Sequence, residues 1–484
     1  MRRTFAAFML LVATAPALAA PPECAADAAA DRAPSSVGDA RMAPLMNVLL
    51  ERYRQQNTGI ATPLQWDHRT DAVAAGALMF ELGDMAAMLR PFVPAELAPY
   101  DHQFRGDMMK TPLMIQIASR AASPAWIAVN KRPDSPLPPR VANFLSFVLS
   151  DAGQTAIAGI GDFSPLPSSV RDAERRKIAS FVAALDAALP RFRPSGSLSG
   201  EIRSVGSDGM KSLMESWMCR LEALAPAVRR GERWEHLGTL NGFHALLVGE
   251  ADIAPMGREL WPQELAQWRA TFGKGEPLEI AVARGGFNTP QRTTAQVIFV
   301  HPDNPLGSIS LEQLRGILQE KPTITRWGQL GLTGAWANRP IDIRTPPLAA
   351  PNAMSVQIRV LGGGAWNRAA TPAPIADTAK AILAAPGAMG FGGMEEGAPG
   401  LKALALSDGE TGPVAPTAAN AADGSYPLTR YMYVRLHPGK VSPQVRALLQ
   451  FILSRDGQER VRYSGYFPLT AAEAKRELAK LDGR

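Results

Sequence analysis

Cysteine and histidine are scarce in this chain of 484 residues, with two of the first and six of the second. Cys24 lies in an Ala/Pro-rich stretch and Cys219 inside a helical pattern. That pair allows one disulfide without requiring it, and it excludes a small disulfide-stapled scaffold. The histidines show no metal-ligand spacing, so neither a metal centre nor a cofactor is expected. Beyond the N-terminus no apolar run approaches the ~20 residues that cross a bilayer. Despite a formal net charge of +6, there is no basic run of nucleic-acid type, and nucleic acid is not an expected partner. Catalytic signatures are absent as well: there is no phosphate loop and no Gly-x-Ser-x-Gly elbow. Gly196-Ser197-Leu198-Ser199-Gly200 carries leucine where a nucleophile would stand. An enzyme is not expected.

What the chain does have is material for cores. At 46% hydrophobic and 20% charged, it can form two or three domains. Arg2 and Arg3, an apolar run through Leu11 and Val12, and Ala17-Leu18-Ala19 read as a secretory signal over residues 1–19. A leader to residue 35 follows. Export as a soluble protein, compatible with a bacterial periplasm, is the expectation, and a mildly basic surface would suit an anionic solute.

An internal repeat organises the rest. Gly38, Met42, Trp66, His68, Asp84, Met88, Arg90 and Glu96 recur as Gly206, Met210, Trp234, His236, Asp252, Met256, Arg258 and Glu264, every pair 168 positions apart without a gap. Met42, Leu45, Met46, Leu49, Leu50 and Tyr53 keep the spacing of an amphipathic helix, and Met210, Leu213, Met214, Trp217, Met218 and Leu221 match them. Strand-like "PLMIQIA" and "PLEIAVA" come next, and the alternation of helix and strand argues for a mostly parallel α/β sheet. A second matched block, "PPRVANFLSFVLSDAGQ" and "SPQVRALLQFILSRDGQ", closes each copy. Between the blocks, copy 1 needs only "SRAASP", whereas copy 2 makes an excursion from Ala283 to Tyr431. Copy 1 (36–190) therefore lacks a lobe that copy 2 (200–484) possesses, and residues 191–199 link them. Within copy 2 the expected lobes are 200–299 with 429–484, and 300–428.

Copy 2 also carries "VGSDGMKSLMESW", "LVGEADIAPMGREL", "VIFVHPDNPLGSISLEQLRGIL", "WGQLGLTGAW", "PIDIRTP", "GAMGFGG" and "YPLTRYMYVRLHPGKVSPQVRALLQFILSRDGQ" in that order. These motifs, spread from about residue 200 to the end, resemble the phosphate-binding proteins of bacterial phosphate ABC transporters. The resemblance implies a fold class: an α/β, two-lobed, periplasmic-binding-protein-like (type II) fold, here preceded by a partial single-lobe copy. It implies a cleft with helix N-termini at its walls, whose free N–H groups favour an anion. It also implies a permease as partner, with only peripheral contact to an inner-membrane complex.

Transferred position by position, the resemblance places Ser207, Asp208 and Gly209 at the first helix start, with glycine where the family carries threonine, and Thr239 at the second. It places Arg344 facing the anion, and the family's Ser-Gly-Thr falls on Ala350-Pro351-Asn352, where only Asn352 keeps a side-chain donor. Asp252 and Arg258 either pair with each other or face the cleft. In copy 1, Arg41 replaces Gly209 and Asp71 replaces Thr239, and a carboxylate there would repel phosphate. Copy 1 is thus expected to be a lobe-one-like module with no cleft. Two functions remain: capture of phosphate or a related oxyanion for a transporter, or a scaffold or sensor that uses the same fold to engage a protein partner.

Overall fold

The computed structural model describes residues 33–482 apart from 64, 105–110, 122, 133–134, 180–181, 195, 289–292, 398–399 and 411. The expected secretory signal, most of the expected leader and Cys24 lie outside the described residues. Among the described residues, no helix is long and apolar enough to cross a membrane.

The N-terminal unit is one six-stranded sheet. Its strands are β1 (Ser36–Asp39), β2 (Trp66–Arg69), β3 (Met85–Met88), β4 (Thr111–Arg120), β5 (Ser123–Lys131) and β6 (Phe163–Ser164). They lie in the order β2-β1-β3-β5-β4-β6. The C-terminal unit begins with β7 (Gly200–Gly206), β8 (Val228–His236), β9 (Ala254–Met256) and β10 (Leu278–Arg284). A second lobe follows: β11 (Val297–Val300), β12 (Ser308–Ser310), β13 (Asp342–Thr345), β14 (Thr371–Pro372), β15 (Ala388–Gly392), β16 (Lys402–Ala403) and β17 (Ala405–Ser407). The chain then returns as β18 (Tyr431–Leu436). Across the first lobe, β8 pairs β7, Ser204 of β7 bridges Ile253 just before β9, β9 pairs β18, β18 pairs β10, and Arg284 bridges Phe467. The two sheets have the same strand order.

Parallel pairing is confined to the first three strands of each sheet, and the remaining pairs are antiparallel. The expected mostly parallel sheet is corrected on this point. In the N-terminal unit a tight turn at Ala121 folds β5 straight back on β4, and a hairpin is antiparallel by necessity. The lobe boundary also shifts. Val297–Val300 pairs with β15 in the five-stranded sheet of the second lobe, so the crossing lies before 297 and not at 299. Likewise the N-terminal sheet unit ends with the helix Ser168–Ile178. Leu189 is built into the core of the C-terminal unit, and Leu185, Phe192 and Leu198 pack against that core.

The matched apolar stripes do what their spacing dictates. Met210, Leu213, Met214, Trp217, Met218 and Leu221 are buried, as are Met42, Leu45, Met46, Leu49 and Tyr53. Each such side chain contributes roughly 1.5–3 kcal/mol by leaving water. Polar tethers repeat with them. Gln154 donates to the Ile117 and Val148 carbonyls and accepts from the Leu166 amide, and Gln458 makes the same three bonds to Val282, Ile452 and Leu469. Ser36 pairs with His68 at 3.2 Å and Ser204 with His236 at 3.0 Å. Burial pulls the His236 pKa down to about 4, so the ring is neutral in ordinary buffers.

Candidate functional site

Three chain reversals follow the strands β7, β8 and β9 of the first lobe. β7 ends at Gly206, where an added Cβ would lie 2.2 Å from the Pro255 carbonyl, so the strand passes where no side chain fits. Ser207 follows, 5% exposed, and begins a short 3-10 turn (Asp208–Met210) that leads into the helix Lys211–Leu224. Its hydroxyl makes no capping bond. Gly209 is buried and its carbonyl accepts from the Tyr466 hydroxyl at 2.9 Å. At the second reversal Gly238, with φ 156°, precedes Thr239 and the helix Thr239–Leu247, again without a side-chain cap. The third is Gly257. An added Cβ there would sit 2.6 Å from Thr293 Oγ1 and 3.6 Å from Ser207 Oγ, which places these three residues side by side.

The N-terminal unit has the same reversals, and there they are closed. Asp39, in the place of Ser207, caps its turn by accepting from the Arg41 amide at 2.9 Å. Arg41 Nε and Nη2 fork back onto the same carboxylate at 2.8 and 2.9 Å. Those bonds hold the Asp39 carboxyl below its ordinary range. Thr70, in the place of Gly238, accepts from the Val73 amide at 3.2 Å. Asp71, in the place of Thr239, accepts from the amide of Leu89 at 3.0 Å, and Leu89 stands where the C-terminal unit has Gly257. Arg41 and Arg90 both come within 3.9 Å of Asp71. Burial pushes the Asp71 pKa up.

On the side of the second lobe, the helix Pro351–Leu361 also starts without a side-chain cap. Asn352, 8% exposed, donates from Nδ2 to Glu396 Oε1 and Oε2 at 3.0 and 3.1 Å, and its Oδ1 accepts from Arg430 Nη1 at 3.2 Å. Burial raises the Glu396 pKa. Arg430 Nη2 lies 3.5 Å from both the Gly257 carbonyl and Glu259 Oε2, and Ser355 Oγ lies 3.5 Å from Glu259 Oε1. For Glu259, burial works toward protonation, but Arg430, Arg359 and Arg435 together hold its pKa below the ordinary value. The two lobes therefore meet in a polar contact made of Gly257 and Glu259 on one side, Asn352 and Ser355 on the other, and Arg430 between them.

The structure brings Ser207 and Asn352 around this meeting point through Gly257 and Arg430. Asp208 is the first residue of the Ser207 turn and is partly exposed, and Thr239 sits at its own helix start. Arg344 lies inside β13, one residue before its end at Thr345, and its Nε and Nη2 are taken by Asp342 Oδ2 at 3.0 and 2.6 Å. Asp252 and Arg258 do not pair with each other. Asp252 binds the Arg203 amide and guanidinium, while Arg258 forks onto Glu264 at 2.7 Å and lies 3.9 Å over the Trp261 ring. Both are structural ion pairs of the first lobe, because each already has a partner from its own sheet face or loop. Sequence reasoning missed Arg430, Glu259 and Glu396. The signal for Arg430 was its place directly before the return strand, inside "YPLTRYMYVRL".

A family profile described as the PBP superfamily domain matches residues 193–456. The chain belongs to the PBP superfamily. Among curated relatives, the phosphate-binding protein PstS of Pseudomonas aeruginosa is 30% identical over 314 residues, which cover 63% of this chain and 94% of that protein. Solved structures similar to this superfamily member include an ABC-type phosphate transport receptor from Vibrio cholerae, with 20% identity, 55% and 100% of the two chains covered, and a TM-score of 0.39. PstS from Borrelia burgdorferi matches with 17% identity, 56% and 99% coverage, and a TM-score of 0.39. Among the described residues, no group of three or more His, Cys, Asp or Glu could hold a metal ion.

Proposed function

We propose that this superfamily member is a periplasmic solute-binding protein that captures phosphate or a related oxyanion between its two lobes and presents it to the permease of an ABC transporter. The observation that carries the reading is the contrast between the two units. Where the N-terminal unit closes its two cleft-side helix starts with Asp39 and Thr70, the C-terminal unit has Ser207 and Gly238, with no side-chain cap at either. Uncapped N–H groups of converging helices are a ready receptor for an oxyanion. Ser207, Gly209 and Thr239 would line the first lobe, with Arg344 and Asn352 facing them from the second. The relative named for phosphate binding supports the choice of anion.

The N-terminal unit, in this reading, is a lobe-one-like module whose own carboxylates occupy the anion position. It is held against the C-terminal unit by the segment that joins them: Pro190 accepts from the Arg455 amide, Asp186 from the Ala471 amide, and Asp456 from the Phe192 amide. Arg132 adds a bond to the Tyr463 carbonyl at 3.1 Å.

Thermal unfolding tests the reading. Phosphate at a hundred times its Kd should stabilise the chain by about 2.7 kcal/mol, because only the folded state binds. Arsenate should act similarly. A melting temperature indifferent to every oxyanion tried would refute the reading.

A further inference from the structure

We infer that Arg430 supplies the buried positive charge that holds the anion, acting from the crossing between the lobes with Asn352 as its orienting partner. The inference rests on the phosphate reading above and adds a residue to it. Arg430 is 1% exposed, and its Nε is buried with no hydrogen-bond partner. A buried guanidinium N–H without an acceptor is costly; Arg284 and Arg435 also carry a buried, unpartnered Nε, and what sets Arg430 apart is its place between the lobes. Nη2 is held only at 3.5 Å by the Gly257 carbonyl and Glu259, the long limit of a hydrogen bond. Nη1 alone is well placed, on Asn352.

The N-terminal unit shows what such an edge does when filled. Arg41 uses Nε and Nη2 together to fork onto the Asp39 carboxylate, the geometry that suits two oxygens of a carboxylate or phosphate. On the same edge of Arg430, Nε has no partner and Nη2 has only the two long contacts at 3.5 Å. Its Nη2 lies against the Gly257 carbonyl, while in the N-terminal unit the amide of the matching residue, Leu89, donates to the Asp71 carboxylate. Thr239 replaces Asp71 in the C-terminal unit, so the carboxylate that fills the place next to Gly257 is missing there. An oxyanion in that place would meet the Nε–Nη2 edge of Arg430, the Ser207 turn and the Thr239 helix start together. Because Arg430 bonds Asn352 in one lobe and Gly257 in the other, opening the cleft would separate it from one of them. Capture and closure are coupled through this side chain. Glu259 and Glu396 border the same place, so the charge Arg430 supplies is also what makes it tolerable to an anion.

The test is phosphate titration of the full chain as wild type, Arg430→Lys, and Arg430→Met combined with Glu259→Gln. The lysine keeps the charge but not the fork. The double change removes charge and partner together, so no unpaired carboxylate is left to unfold the protein. Arg368→Gln, which breaks an exposed pair with Glu320, is the control. Both Arg430 variants should fold and bind phosphate on the order of a hundredfold more weakly, the loss expected for a buried charge partner, while the control keeps wild-type affinity. If either folded Arg430 variant binds as tightly as wild type, Arg430 is not the anchor and the phosphate reading stands without it. If the wild type itself takes up no phosphate, the underlying reading fails and this inference with it.

Discussion

A chain carrying Ser207→Asp and Thr239→Asp should lose phosphate affinity by at least about a thousandfold while folding normally. The two substitutions install residues that the N-terminal unit already carries at the matching reversals, Asp39 and Asp71. There they sit comfortably, one capping its turn and the other taking the Leu89 amide. In the C-terminal unit Gly209 stands where Arg41 forks onto Asp39, so the carboxylate at 207 keeps the cap, worth about 1 kcal/mol, without the ion pair, and stability should change little. Binding is another matter. A carboxylate about 4 Å from a unit charge, at an effective dielectric near 20, costs about 4 kcal/mol, and one such interaction is worth roughly a thousandfold in Kd. The carboxylates would also consume the N–H groups that the anion needs. Calorimetry on the variant checks this, with the melting temperature as the control for folding. Undiminished affinity would mean that these helix starts do not face the ligand.

The second large effect concerns the crossing strands that the cleft depends on. Arg284, the last residue of β10, is 3% exposed and donates to Glu473 at 2.5 Å and to the Ala422 and Pro468 carbonyls at 2.7 and 2.9 Å. Glu473 also accepts from the Tyr431 hydroxyl on the return strand and from the Thr470 amide. One carboxylate thus ties together both strands that lead to the crossing and the C-terminal helix. Glu473→Ala leaves the Arg284 charge buried and unpaired, which costs about 3–5 kcal/mol and lowers the melting temperature by on the order of 10 °C.

The acid limb follows from the same pair. Burial favours the protonated form of Glu473, but Arg284 and the hydrogen bonds outweigh it, and the net pKa lies below the ordinary carboxyl value. A carboxyl depressed in the folded state stabilises fully above its unfolded pKa, and that stability is lost as pH falls through the folded one. The wild type should therefore lose urea resistance on acidification below the ordinary glutamate range, and Glu473→Ala should show a flatter acid limb. A variant that unfolds at the wild-type urea concentration would remove this pair from the hinge.

The repeat was legible because it is carried by local patterns. Helix stripes such as Met210 to Leu221 declare themselves by spacing, and residues such as Gln458 and His236 recur because each serves a bond within a few elements of itself. The Ser207 and Thr239 reversals were legible for the same reason, since each is a strand end followed by a helix. The meeting point of the lobes was legible only at Asn352, through the resemblance. Gly257, Glu259, Glu396 and Arg430 are distant in sequence and join it only where the lobes meet. No periodicity links them. Arg344 is an intermediate case: it lies on a strand as expected, one residue before the strand's end, but Asp342 stands two residues earlier on the same strand face and claims the guanidinium. That competitor was visible in "PIDIR". The lobe boundary erred because β11, which looks continuous with the first lobe, takes its partners from the second.

The central claim is that one unit has an open anion site and the other has filled its own, and the stoichiometry of binding tests it most directly. Calorimetric titration of the full chain, stripped of phosphate, should give one saturable site per chain with a Kd in the micromolar range or tighter, about −8 kcal/mol or better. Two equivalent sites per chain, or no heat of binding at all, would contradict it.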